Sequence, residues 1–244
     1  MNMEFTYNAY QNLIHLLQDK GYTFCNYHNY TQSDRSVILR HDIDMDIGKA
    51  VKMGELEAHM EISSTYFVLV TSNFYNIFSK RNQDMLCGLI RLGHEVGLHF
   101  DEAKYNADRD DMVEAMEQEA ALLEKCLGCE VTSVSMHRPS AATLDADYRI
   151  RDGRLVNSYG REFFHNHKYV SDSRRNWRED VLGIVESGAY DRLHVLTHPF
   201  WYDEEEQSAK EELKWFCGSR VDVCYSDMKD NVRDIEEFLR RDEL

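Results

Sequence analysis

The 244 residues are 43% apolar and 11% aromatic, which is enough to bury a sizeable core and excludes a disordered chain. With 28 Lys and Arg against 44 Asp and Glu, the net charge of −16 lacks the basic footprint that nucleic acids and anionic membrane surfaces require, so neither is an expected partner. A length of this order suits one large α/β domain, and a single domain over residues 1–244 is the expectation.

In chain order, Tyr10, Leu13, Ile14 and Leu17 share one helical face that stops at Gly21, predicting an N-terminal helix over 6–20. With Glu4 and Asp19 in it, this stretch reads as an amphipathic helix and not as a cleavable leader. The cytoplasm is therefore the expected location, and reduced thiols are expected at all six cysteines. Cys126 and Cys129 form a C-x-x-C with no second pair, which predicts ordinary packing residues. Val37-Ile38-Leu39 is a β-rich run leading into polar His41-Asp42-Ile43-Asp44, after which Ile47, Ala50, Val51, Gly54 and Ala58 resume a helical stripe. The alternation continues with a strand over 64–70, a helix over 82–92, a strand over 94–100 and a helix from Val113 to Leu127 ended by Gly128. Further strands are expected at 131–136, 155–159, 169–171 and 193–197. The acidic run Asp203 to Glu206 is expected to open a last helical stretch as a solvated cap. Strands alternating with helices imply parallel β/α units and an α/β barrel or near-barrel.

In such a barrel the carboxyl ends of the strands form the site. There Asp42 and Asp44 project to one side and His41 to the other, because side chains alternate along an extended segment. Two carboxylates on one face call for a cation or a proton between them, an arrangement that suits one metal ligand and one general base. The third strand ends with His99 and then Asp101 on one side, while His94, at the strand start, reads as structural. The chain has two prolines, and each follows a strand-end histidine closely, in His137-Arg138-Pro139 and in His198-Pro199. A proline there holds the preceding backbone rigid.

These segments resemble the polysaccharide deacetylases of carbohydrate esterase family four, also called the NodB homology fold. Val37 to Asp44 is similar to the first motif, Gly93 to His99 to the second, His137-Arg138-Pro139 to the third and Leu196-Thr197-His198 to the last, with Trp177 after Ser171-Asp172-Ser173 a loose match to the fourth. The whole pattern is most similar to deacetylase-like proteins linked to surface-polysaccharide synthesis. The resemblance implies a distorted (β/α) barrel with its motif core at 37–202, on which the helix at 6–20 and a helical segment at 203–244 would pack. It further implies a divalent ion, zinc being the expected one, held by Asp44 and His99, with Asp42 as base, Arg138 orienting that base and His198 as general acid. Four residues after His99, where the family has a second metal histidine, stands Ala103. His137 is favoured as the replacement ligand, with Asp101 and Glu102 as alternatives. Asp172 and Trp177 would line the substrate pocket, and Trp201 would stack on a sugar face. The implied reaction removes an N-acyl group from an amino sugar, as a nucleotide-linked or lipid-linked glycan precursor. The alternatives are a degenerate barrel that binds glycan or a partner protein, and a hydrolase of a small non-sugar amide.

Overall fold

The computed structural model describes residues 3–106 and 111–244, which fall into two compact units, Met1–Glu204 and Glu205–Leu244. The first holds an eight-stranded parallel sheet of β1 (Thr23–Cys25), β2 (Ser36–Ile43), β3 (Thr65–Leu69), β4 (Glu95–Phe100), β5 (Ser133–Met136), β6 (Val156–Asn157), β7 (Lys168–Ser171) and β8 (Arg192–Thr197). Its order is β6-β5-β4-β3-β2-β8-β7, with β1 added on β2. The strand β2 is central. It pairs with β8 over its first six residues, with β1 at Ser36 to Ile38 and with β3 at Arg40 to Ile43. The helices are α1 (Tyr7–Asp19), α2 (Ile47–His59), α3 (Lys80–Arg91), α4 (Met112–Leu127), α5 (Ala141–Ala146), α6 (Arg161–His165) and α7 (Val181–Ser187).

The expected distorted barrel is present, with one unpaired seam. The edge strands β6 and β7 are not hydrogen-bonded to each other among the described residues, yet Tyr159, just past β6, and Tyr169 of β7 bring their ring centroids to 6.5 Å across the interior. Side chains therefore close the wall where the ladder does not. Phe163 of α6 enters the same gap and meets Tyr27 edge-on at 5.0 Å. Outside the sheet, alternate strand residues such as Val37, Leu39, Val68 and Leu98 pack under the helices. Inside, Ile38 and Phe67 join Cys25, Tyr27, Tyr30 and Phe163 in a separate aromatic plug. Gly97 lies where β4 passes close to that plug. A Cβ there would sit 2.6 Å from both the Phe67 ring and Ser133 Oγ, so only glycine fits.

The helix starts are capped as their residue types predict, by Thr6 on α1, Asp46 on α2 and Asp111 on α4, while Gly128 ends α4 in a left-handed conformation. The strand β2 runs to Ile43, beyond the apolar run that marks it in sequence, because the polar residues that follow also have partners inside and outside the barrel. All six cysteines are unpaired, with Cys126 buried and Cys129 exposed. Among the described residues, no helix is long and apolar enough to cross a membrane.

The second unit holds α8 (Ala209–Asn231), started by a capping box between Ser208 and Glu211. Tyr225 of α8 donates to the carbonyl of Leu239, and Arg241 pairs with Asp222 at 2.6 Å. The acidic run at 203–206 thus precedes this helix instead of opening it. Asp203, in the first unit, is a partner of Lys49 at 2.9 Å, and the preference of serine for the N-cap places the helix start at 208.

Candidate metal centre and acid-base groups

Three side chains converge at the carboxyl ends of β2, β4 and β5. The His99 Nε2 atom lies 3.3 Å from Asp44 Oδ1, His137 Nδ1 lies 3.4 Å from the same oxygen, and the two ring nitrogens are 3.2 Å apart. Among the described residues this is the one such cluster of potential ligands. A tetrahedral zinc ion with bonds of about 2.0–2.1 Å separates its ligand atoms by about 3.3–3.4 Å, which is the size of this triangle. The buried Asp44 Oδ1 has no hydrogen-bond partner of good geometry, as expected of a lone pair kept for a cation. By size, donor chemistry and orphaned oxygen, these residues fit a divalent ion. Burial pushes the Asp44 carboxyl up, but the two imidazoles beside it, together with His198, hold it far below the usual carboxylate range.

The competing candidates for third ligand are employed elsewhere. Asp101 accepts from the backbone of Ala103, and Glu102 accepts from Ser140 N and from the Thr143 hydroxyl, fastening the loop after β5.

Asp42 and Asp44 face the interior and His41 the outside, in line with strand alternation. Asp42 is 3% exposed, with Oδ2 3.7 Å from His99 Nε2. Its partner is Arg40, two residues earlier on the same face of β2 and fully buried. Arg40 Nη2 donates to Asp42 Oδ2 at 2.8 Å and Oδ1 at 3.1 Å, while its two terminal nitrogens reach Ser135 of β5 and Ser158 beyond β6. The guanidinium also lies over the rings of Phe67, at 5.2 Å, and Tyr159, at 4.7 Å. Burial pushes the Asp42 carboxyl up, yet Arg40, helped by His99 and His198, leaves it below its ordinary value. The structure thus assigns to Arg40 the contact expected of Arg138. Arg138 is exposed, in a left-handed conformation (φ 47°), and its Nε meets His137 Nε2 at 2.9 Å, so it lies against the candidate ligand and not on Asp42.

His198, directly after β8, has its Nδ1 2.6 Å from Asp172 Oδ1, and its Nε2 faces the metal cluster, 3.9 Å from Asp44 Oδ2. Burial lowers a histidine pKa, but here the Asp172 carboxylate prevails and pushes His198 up to about 9. Asp172 is also bound by Tyr202 Oη and by the backbone N–H of His198. It therefore sits behind the histidine and not in a substrate pocket. Trp177 is likewise displaced from its expected role, because it is 2% exposed and packs with Val170, Val181 and Leu193 in the outer apolar layer. Trp201 is half-buried against the same layer, its ring 4.8 Å from Phe200. Aromatic side chains near a motif carry a large apolar surface, and here burying it outweighs presenting it to a ligand.

Outside the barrel wall, His41 links β2 and β8 to α2. Its Nε2 lies 2.9 Å from Glu57 and its Nδ1 lies 2.6 Å from the Thr197 hydroxyl on β8. Glu57, fully buried, also accepts from Tyr10, Ser64 and Tyr66. Burial pushes its carboxyl up, but His41 and His94, together with these hydrogen bonds, bring it down to about 2. His94, whose Nε2 meets the Gly54 carbonyl at 2.9 Å, is structural as expected.

No family model matches the chain, and no curated protein matches it. Solved structures similar to it include a family 4 carbohydrate esterase from Bacillus anthracis, at 16% identity over 91% of this chain and 90% of that one, with a TM-score of 0.46. A family 4 carbohydrate esterase from Streptomyces lividans in complex with acetate is 14% identical over 68% of this chain and 80% of its own length, with a TM-score of 0.46. The Streptococcus pyogenes deacetylase PplD in complex with acetate is 15% identical, with a TM-score of 0.41, over 55% of this chain. This chain spans 64% of the length of PplD. The first two are named as members of the family that the sequence motifs resemble.

Proposed function

We propose that the protein is a metal-dependent hydrolase that removes an N-acetyl group from an amino sugar carried on a nucleotide or lipid. The observation that supports this reading is the meeting of two kinds of group at one barrel mouth: a ligand triangle of Asp44, His99 and His137, and beside it Asp42 paired with Arg40 and His198 paired with Asp172. A divalent ion bound by the triangle would supply the Lewis acidity that polarises the amide carbonyl and acidifies water.

The chain's own groups account for the protons. Asp42, held ionised and immobile by Arg40, takes a proton from the attacking water as the new C–O bond forms. His198, charged because of Asp172, donates a proton to the amide nitrogen as the C–N bond breaks, so the amine leaves neutral together with acetic acid, which ionises to acetate by releasing its proton to solvent. Asp172 acts as a positioning residue, fixing the imidazole so that its Nε2 carries the proton toward the site.

The direct test is acetate release from N-acetylated amino sugars by the purified protein. Activity that falls to background after exhaustive chelation and returns on adding about one equivalent of zinc is the expected result. Acetate release indifferent to chelation would refute the metal-dependent reading.

A further inference from the structure

Although the chain as a whole is strongly acidic, residues 138–178 contain nine Lys or Arg against five Asp or Glu. This segment supplies the loops on either side of the unpaired seam. The wall is low there, because β6 ends level with Val134 while β5 continues to Met136 and its neighbouring loop to the metal cluster. On one bank stands Arg138, next to the candidate ligand His137, and on the other Arg174, two residues after the Asp172 that holds His198. Both are exposed, and no described carboxylate lies within ion-pair distance of either. In this segment Asp172 is engaged by His198 and Tyr202, and Asp147 by Arg161.

Both arginines are also among the eight described non-glycine residues with positive φ. Arg138 (φ 47°), Arg151 (φ 47°), Arg174 (φ 62°) and Arg175 (φ 54°) are all left-handed, although L-residues with side chains this large avoid that region. Strain of this kind collects where a loop must present a side chain in a particular direction. Arg151 pairs with Glu124 and the Arg175 guanidinium is laid over the Phe5 ring at 4.8 Å, leaving Arg138 and Arg174 as the exposed left-handed arginines with no described carboxylate partner.

We propose that Arg138 and Arg174 bind the phosphoryl group of a glycosyl phosphate or diphosphate, the chemistry common to nucleotide-linked and lipid-linked sugars. This rests on the deacetylase reading and adds to it the part of the substrate that is not hydrolysed. A carboxylate has two coplanar oxygens that one arginine fork satisfies, whereas a tetrahedral phosphoryl group offers oxygens to two forks arriving from different sides. An amide-bearing sugar ring seated over the ion would then have its anionic carrier leave over the rim of the wall between the two banks.

The test uses full-length, zinc-loaded protein carrying Asp42→Asn, so that binding is read without turnover. Calorimetric titration compares methyl N-acetylglucosaminide with N-acetylglucosamine 1-phosphate, UDP-N-acetylglucosamine and farnesyl-diphospho-N-acetylglucosamine. At least one phosphorylated ligand should bind tenfold or more tighter than the methyl glycoside, and this advantage should shrink at least tenfold when Arg138→Gln and Arg174→Gln are added. The carrier with the larger advantage identifies the source. Equal affinity for all four ligands, or an advantage that survives the double substitution, overturns the proposal, the latter because the phosphate would then be held by the ion or by other groups. Acetate release by wild-type protein from the same ligands is measured separately. Its absence with arginine-dependent binding intact would sink the hydrolase reading while leaving the phosphoryl site in place.

Discussion

Asp42→Asn is expected to lower deacetylation by about 100-fold to 10,000-fold while leaving fold and metal content unchanged, since removing a positioned general base costs about this much. The substitution keeps the shape of the side chain. It removes the negative charge that Arg40 faces and the lone pair that accepts the proton of water. Because the ligand triangle uses Asp44 and not Asp42, elemental analysis of the variant should still find about one divalent ion per chain. Asp44→Asn should show the converse, losing the metal first and activity with it. If Asp42→Asn lost the metal and Asp44→Asn retained it, the two carboxylates would have to exchange roles.

The largest effect on stability is expected from Arg40→Met. Removing one partner of a buried ion pair leaves the other charged and unpaired, which costs about 3–5 kcal/mol. Here the orphan would be Asp42, along with the hydroxyls of Ser135 and Ser158. The pH dependence separates this positioning role from mere packing. In the wild type the Asp42 pKa is depressed, so its contribution to stability is present above the unfolded carboxylate value of about 3.9 and is lost as pH falls through the lower folded value. Without Arg40, burial dominates and the folded pKa rises above the unfolded one. Protonation then relieves the buried charge, so the stability deficit found by denaturant unfolding at pH 7 should narrow as the pH is lowered. The acid limb of the activity profile should move to higher pH for the same reason, because the base works only when ionised. A deficit independent of pH, with an unmoved acid limb, would reduce Arg40 to a structural residue.

Much of this arrangement was legible in the residues themselves. The alternation of His41, Asp42, Ile43 and Asp44 places both carboxylates on one side and the histidine on the other without reference to any fold, and the structure has them so, the carboxylates inside. His99 and His198 stand at ends of apolar β runs, where a polar residue is conspicuous. Arg40 was not legible as a partner of Asp42. It reads as one charge at the end of Val37-Ile38-Leu39, and what makes its burial tolerable, Ser135, Ser158 and Tyr159, comes from strands and loops about 95–119 residues later in the chain. Only the curl of the sheet brings them together. The same limit explains Trp177 and Asp172. Sequence proximity to a motif cannot distinguish a residue facing the cavity from one facing the helices, and the short β7 that precedes them gives too few alternations to set the phase. The three-residue β1 and the short α5, α6 and α7 likewise carry too few residues for a periodic signal.

The proposed chemistry depends most on the ion. Crystals of the zinc-loaded protein, measured on both sides of the zinc absorption edge, locate it without recourse to chemistry or assay. One anomalous peak within about 2.0–2.2 Å of Asp44 Oδ1, His99 Nε2 and His137 Nδ1 is the result expected. A peak bonded elsewhere, or zinc absent from this triangle in protein that still releases acetate, would contradict it.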